Sequence, residues 1–264
     1  MIMTDLLALF GPYQREIADA LGLGLGVFIR VGAIMALVPA FGEQVVSVRI
    51  RLALTLAFTA ITAPALAPVM PPAPTTPGPL LVLIAAEATA GLALGIGLRL
   101  FTIALQTAGT IAAQATSLSQ FFGGAGVDPQ PAMSQILVMA GLALAVTAGL
   151  HVALAELIVL SYDIFPPARF PDAASLGQWG LSQTSRAFTL AFTLALPFVI
   201  LSLLFYVAMG AINKAMPQLM VAFVGAPAIT WAGLAVLLLT APLMLPIWHE
   251  GFRGFLLDPT RPLP

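Results

Sequence analysis

Few side chains in this sequence could do chemistry, and they stand far apart. Arg30 and Glu87 are lone ionisable groups inside apolar stretches, and Arg99 closes the stretch that holds Glu87. A charge at the centre of a bilayer costs at least about 2.5–3.5 kcal/mol, so each needs a partner or a hydrated interior. Arg30 admits two readings: a buried ion pair with Glu87 or a helix-end carbonyl, and a side chain facing a transport path. A proton-relay role for Glu87 lacks a second carboxylate. His151 and Glu156 are five residues apart, about 140° round a helix, which puts them on different faces. His249 and Glu250, near the carboxyl end, are expected in solvent. With 2 histidines and no cysteine, no constellation in the sequence offers the three or four ligands of a usual zinc site. His151 and Ser161 are too poorly placed for a nucleophile–base pair. There is no Gly-Lys-Ser/Thr phosphate loop. The expectation is a protein without cofactor or metal, and not an enzyme.

The elements that must carry these residues are greasy. Of 264 residues, 60% are hydrophobic and 8% charged, with mean hydropathy +1.03. Soluble domains carry about 25% charged residues, so an ordinary soluble enzyme and a disordered chain are both excluded. Net charge is −1, which offers no field for nucleic acid or acidic lipid. Asp5, Glu16 and Asp19 against Arg15 make the start an amphipathic lead-in rather than a basic secretory signal.

A bilayer core of about 30 Å takes about 20 apolar residues in a helix. Six runs qualify: 21–41, 52–69, 80–100, 132–160, 187–212 and 219–247. The predicted class is all-α, a membrane domain of helical hairpins with proline-broken apolar helices. Residues 70–79 hold five prolines and cannot be the middle of a helix. Residues 162–186 read as a polar surface loop with a short helix at 173–179. The tail from Trp248 is predicted extended because of its prolines. Six crossings would put Arg15, Arg169, Arg186, Arg253 and Arg261 on one side and Arg49, Arg51, Arg99 and Lys214 on the other. That near tie sets no orientation.

Three local patterns carry more information. Along 100–121, Thr102, Gln106, Thr110, Gln114, Ser117 and Gln120 fall in one wedge of a helical wheel, opposite Ile103, Ala104, Ala108, Ile111 and Ala115. Unpaired amides in hydrocarbon cost about 2–7 kcal/mol each, so this uncharged stripe should face water, a pore or a partner. Small residues recur at four-residue spacing, as in Gly22 and Gly26, Gly91 and Gly95, and Gly141, Ala145 and Gly149, which favours close helix packing. Glu43 precedes Arg49 and Arg51, and an ion pair between the carboxylate and one of these arginines is expected, next to an interfacial anchor. The 122–131 loop, with Gly123, Gly124 and Gly126 after Phe121 and Phe122, reads either as a lumenal connection or as a stopper with a free backbone.

Several of these stretches together resemble the FliR family of flagellar export-gate proteins, whose virulence type III secretion counterpart is the SctT family. They are Val38-Pro39-Ala40-Phe41-Gly42-Glu43-Gln44 with Arg49-Ile50-Arg51, then Gln106-Thr107-Ala108-Gly109 leading to Gln114 and the Phe121–Pro129 region, then Asn213-Lys214-Ala215-Met216-Pro217-Gln218 running to Gly225 and Pro227. The likeness covers nearly the whole chain. The Pro217-Gln218 and Gly225-x-Pro227 pattern favours the flagellar branch. One departure is Met220, where many members carry Asn. The resemblance implies a non-enzymatic subunit that assembles with FliP and FliQ homologues into the entry gate for unfolded flagellar substrates. It further implies contact with FlhB and FlhA, and a place in the flagellar basal body at the bacterial inner membrane. Residues 1–186 would be FliP-like, and 187–264 a FliQ-like hairpin turning at Lys214, Pro217 and Gln218. Residues 117–131 would be the channel plug, including Ser117, Gln120, Phe121, Phe122, Gly123, Gly124 and Gly126. A self-contained small-solute transporter is the competing reading of the broken helices and lone charges, though no inverted repeat is visible.

Overall fold

The computed structural model describes residues 2–43, 46–74, 76–116, 132–216 and 221–260. Among them there is no strand. The helices are α1 (Ile2–Leu37), α2 (Val48–Leu66), α3 (Pro77–Ala115), α4 (Ala132–Thr147), α5 (Leu150–Ile164), α6 (Ala173–Ala215) and α7 (Val221–Leu257). Five of the described helices are long and apolar enough to cross a membrane, or six if the bent pair α4–α5 is one span.

Several boundaries differ from those predicted, each for a local reason. The run 80–100 and the polar-striped helix after it are one helix of 39 residues, α3. Nothing between Leu100 and Ala115 breaks a helix, and Pro77 opens it, where a missing N–H costs nothing. The run 132–160 is broken instead. Gly149 has φ +90°, a conformation glycine adopts without strain, so α4 ends at Thr147 and α5 starts afresh at Leu150. The region 162–186 is not mainly a loop. Helix α6 starts at Ala173 and runs 43 residues, roughly 64 Å, about twice a hydrocarbon core. The predicted extended tail is also corrected. Helix α7 continues through Trp248, Phe252 and Phe255, all buried, and stops just ahead of Pro259. Pro242 and Pro246 lie inside it.

The chain forms two compact units. Unit 1 holds Met1–Arg99, Gly149–Leu181 and Phe255–Arg261; unit 2 holds Leu100–Ala148, Ser182–Gly254 and Pro262–Pro264. In unit 1 the first half of α3 lies on α1. A Cβ on Gly91 would stand 2.5 Å from the Arg30 carbonyl oxygen, and one on Gly95 3.1 Å from Leu37 Cβ. Advancing along α3 thus advances along α1, so the two helices run in the same direction. Helix α2 buries Thr55, Phe58, Thr59, Thr62 and Leu66, while Val48, Ile50, Leu52, Leu56 and Ile61 are exposed. The buried hydroxyls of Thr55, Thr59 and Thr62 each donate to the carbonyl four residues back.

In unit 2 the second half of α3 packs on α4 and α7. The Trp248 indole N–H donates to the Phe101 carbonyl at 2.8 Å. The Trp248 ring stacks on Phe252 at 5.1 Å, and Phe252 meets Phe101 edge-on at 5.5 Å. Gly141 admits Leu105 and Trp248. Gly225 of α7 faces Met209 and Phe205 of α6, so these two helices form a hairpin.

Two outcomes follow from this packing. Gly91→Ala pushes α3 off the α1 backbone and should lower the unfolding temperature in detergent by the equivalent of about 1–3 kcal/mol, the usual cost of overpacking. Gly177→Ala in α6, where a Cβ meets nothing within 4 Å, should raise it slightly, and equal behaviour of the two variants would contradict the contact. Asp172 caps α6 by accepting the Ser175 N–H at 2.8 Å, and that bond holds its carboxyl below the ordinary value of 3.8. A carboxylate with a depressed folded pKa stabilises at pH above the unfolded value and loses that effect as pH falls through the folded one. Thermal scans of Asp172→Ala should therefore show a deficit at pH 7 that closes in acid below pH 3.8.

Candidate functional site

The two lone charges of the apolar runs meet. Arg30 is 1% exposed and Glu87 0%, and Arg30 Nε donates to Glu87 Oε2 at 2.7 Å. Nη1 donates to the Ser161 carbonyl at 3.0 Å and to Ser161 Oγ at 3.1 Å. Nη2 donates to the Phe165 carbonyl at 2.9 Å. The guanidinium lies 3.6 Å from the centre of the Tyr162 ring. On the other side, Glu87 Oε1 accepts the Ala168 N–H at 3.1 Å.

The chemistry of this cluster is closure. The Ser161 carbonyl already accepts the Phe165 N–H at 2.8 Å and takes Arg30 as a second donor, whereas the C-cap carbonyl of Phe165 lies past the last turn of α5, which no further turn can satisfy. A cation is favoured at that end of a helix, and the planar fork of arginine reaches several acceptors at once. Glu87 then holds the following loop, in which Ala168 has φ 56°. Neither charge presents a surface on which a solute could act. Sequence reasoning did not find Ser161, Tyr162, Phe165 or Ala168 as partners, because nothing local links them to position 30.

Arg99 is only partly buried and pairs with Glu43 at 2.6 Å. This corrects the pairing expected of Glu43 with Arg49 or Arg51. Arg51 instead donates to the backbone carbonyls of Gly42 and Glu43, at 3.3 and 3.1 Å, while Arg49 is exposed. The bonds from Arg51 clasp a loop in which Ala40 has φ 70°. His249 is half-buried, not solvated as expected; Glu250 is exposed.

The polar stripe lies in unit 2. Thr102 is fully buried, Gln106 and Thr110 are half-buried, and Gln114 is exposed. The Thr110 hydroxyl donates to the Gln106 carbonyl at 2.8 Å. Ala104, Ala108 and Ala112 on the other side are buried, whereas Ile103, expected with them, is exposed. Helix α4 comes to Gly109 through the backbone of Ser134, and Ser134 Oγ donates to the Gln106 carbonyl at 3.1 Å. This close approach covers one flank of α3 and leaves the lower stripe open. The Gly109 between Gln106 and Thr110 was the signal for it. Lys214 is exposed in the last turn of α6. Ser117, Gln120, Phe121, Phe122, Gly123, Gly124 and Gly126 lie outside the described residues, as do Pro217 and Gln218.

Residues 21–255 match the family model described as bacterial export proteins, family 1. The flagellar biosynthetic protein FliR of Caulobacter vibrioides is 33% identical over 232 residues, 87% of this chain and 92% of that protein. That of Escherichia coli strain K12 is 28% identical over 231 residues, 85% of this chain and 86% of its own. That of Pectobacterium carotovorum subsp. carotovorum is 26% identical over 230 residues, with 85% and 86% covered.

Removing one member of a buried ion pair typically costs about 3–5 kcal/mol, because the other charge is stranded. Arg30→Met and Glu87→Met are each expected to cause a loss of that order in thermal unfolding. The double variant should recover part of it, not all, since the Phe165 carbonyl at the end of α5 stays without the donor that Arg30 gave it. Strict additivity of the two losses would mean the groups are not coupled.

Proposed function

The chain belongs to the bacterial export proteins, family 1, and from that membership we propose that it builds part of the wall and the closure of the flagellar type III protein export gate. It is a membrane component of the flagellar export apparatus. In our reading it acts without catalysis, in the bacterial inner membrane at the flagellar basal body, and assembles with FliP and FliQ homologues, with FlhB and FlhA as further neighbours. Residues 1–186 form the FliP-like part and 187–264 the FliQ-like hairpin.

The observation that carries this reading is the neutral stripe of Gln106, Thr110 and Gln114 on a chain whose exterior is otherwise mostly apolar. An unfolded polypeptide in transit exposes peptide groups, charges and apolar side chains in every order. A wall of amides and hydroxyls offers it brief hydrogen bonds that barely outcompete water. A charged wall would hold opposite charges and repel like ones. Closure falls to residues 117–131, where Phe121 and Phe122 supply an apolar stopper and the glycines backbone freedom. The sequence has no phosphate-binding loop of its own, so the energy for transport comes from partners.

Co-expression with FliP and FliQ homologues of the same source should give a complex that purifies together. Deleting residues 121–126 should leave that complex intact and raise the ion conductance of membranes that contain it. An assembled but ion-tight deletion variant would remove residues 117–131 from the closure.

A further inference from the structure

Unit 1 is put together from three pieces of chain, and the piece after residue 254 is synthesised after the other two. It is seated at three points. The Phe255 ring fills the notch over Gly97, where a Cβ would collide with it. The same ring lies 6.3 Å from the Trp179 ring at the start of α6. Past the end of α7, the Pro259 carbonyl accepts the Trp179 indole N–H at 2.9 Å. Phe255, Leu256 and Pro259 are buried, although Leu257 and Thr260 between and beyond them are exposed. Beside these contacts lies a cavity of about 260 Å³ whose walls include Leu94, Phe165, Trp179 and Pro259.

We propose that residues 255–260 are a latch, which clasps the first turns of α6 to α3 and closes this corner of unit 1. The attachment includes an aromatic ring, an indole hydrogen bond and a short apolar edge, and it borders unfilled space. A segment beside a void lacks packing partners on that side, and such segments open locally at less cost than global unfolding. The partners of the latch are also distant in sequence, and such contacts form late because the loop between them must first be closed. Trp179 and Phe255 are separated by all of residues 182–254. The latch therefore cannot seat until that hairpin has been made, and its seating registers that the hairpin is complete.

The chain has no cysteine, so one introduced thiol reports one place. Leu94→Cys watches the cavity, and Val31→Cys, buried in α1, watches the rest of unit 1. In the full chain in membranes, a maleimide should label Leu94→Cys about tenfold faster once Phe255→Ala is added, as expected when a locally stabilised segment is released. Gly97→Leu, which fills the notch with Phe255 intact, should act alike, and Trp179→Phe, which removes the indole hydrogen bond and keeps an aromatic ring, should act in the same direction but less. Val31→Cys should stay protected in all three. Unchanged labelling of Leu94→Cys would overturn the latch. Equal acceleration at Leu94 and Val31 would overturn it too, since the opening would then be global.

Discussion

A guanidinium that neither water nor headgroups can reach must be neutralised by what surrounds it, and unit 1 is organised round the one on Arg30. Its hydrogen bonds run to α3 through Glu87, to the end of α5 through Ser161, and to the C-cap through Phe165. These bonds need α1 and α3 in close contact. Glu87, Gly91 and Gly95 are spaced by four, hence on one face of α3. Arg30, Ala33 and Leu37 form the facing stripe on α1. The glycines are thus the geometric condition for the ion pair. A Cβ at Gly91 would hold the helices apart and stretch the bond to Glu87. Such a pair specifies one arrangement more than it adds stability, because its desolvation offsets much of the attraction.

The polarity of the surface follows from the same solvent argument. On α2 the hydroxyls of Thr55, Thr59 and Thr62 point inward and are satisfied within their own helix, while isoleucines and leucines point out. In water that arrangement would be inverted. Against lipid or apolar neighbouring helices it is the favourable one, since burying an apolar side chain gains little when the surroundings are equally apolar. Packing and internal hydrogen bonds then hold the helices, which is why small residues sit at the contacts: Gly91 and Gly95 in unit 1, Gly109, Gly141 and Gly225 in unit 2.

Part of this could be read from the residues. Lone charges in apolar runs must find each other, so a pairing of Arg30 with Glu87 was among the expected arrangements. Of the proline-rich stretch 70–79, residues 71–74 separate α2 from α3 as the missing donors require, whereas Pro77 and Pro79 lie in the first turn of α3, where those donors are not needed. The extent of the helices was less legible. Proline and polarity do not break these helices, and Pro242, Pro246 and the polar stretch 173–186 all lie within them. A better signal was present in Trp248, Phe252 and Phe255, spaced by four and three, which mark a continuing helical face. The capping of α5 by Arg30 had no local signature. It joins residues 131 and 135 positions apart. The family resemblance came from the short motifs and their order, and the match over residues 21–255 supports it at that level.

The neutrality of the stripe is best understood from where the charges went. Arg30 and Glu87 neutralise each other in the interior, Arg99 is paired with Glu43, and Arg51 is spent on two carbonyls. Each of these charges has a fixed geometry and a structural partner. The stretch from Leu100 to Gln120 contains no charge at all, although glutamate or lysine would make an equally good helix former at an exposed site. Helix formation therefore does not explain the glutamines at 106 and 114. In the proposed reading, a long apolar helix that shows one wet edge, without attracting counter-charges from whatever passes or packs there, is left with amides and hydroxyls. In the described stripe Thr110 returns its hydroxyl to the Gln106 carbonyl and Thr102 is buried, so the amides are the groups that remain to meet an outside partner. That assignment makes Gln114, the most open of the described stripe positions, the first place where contact with water or polypeptide would be felt.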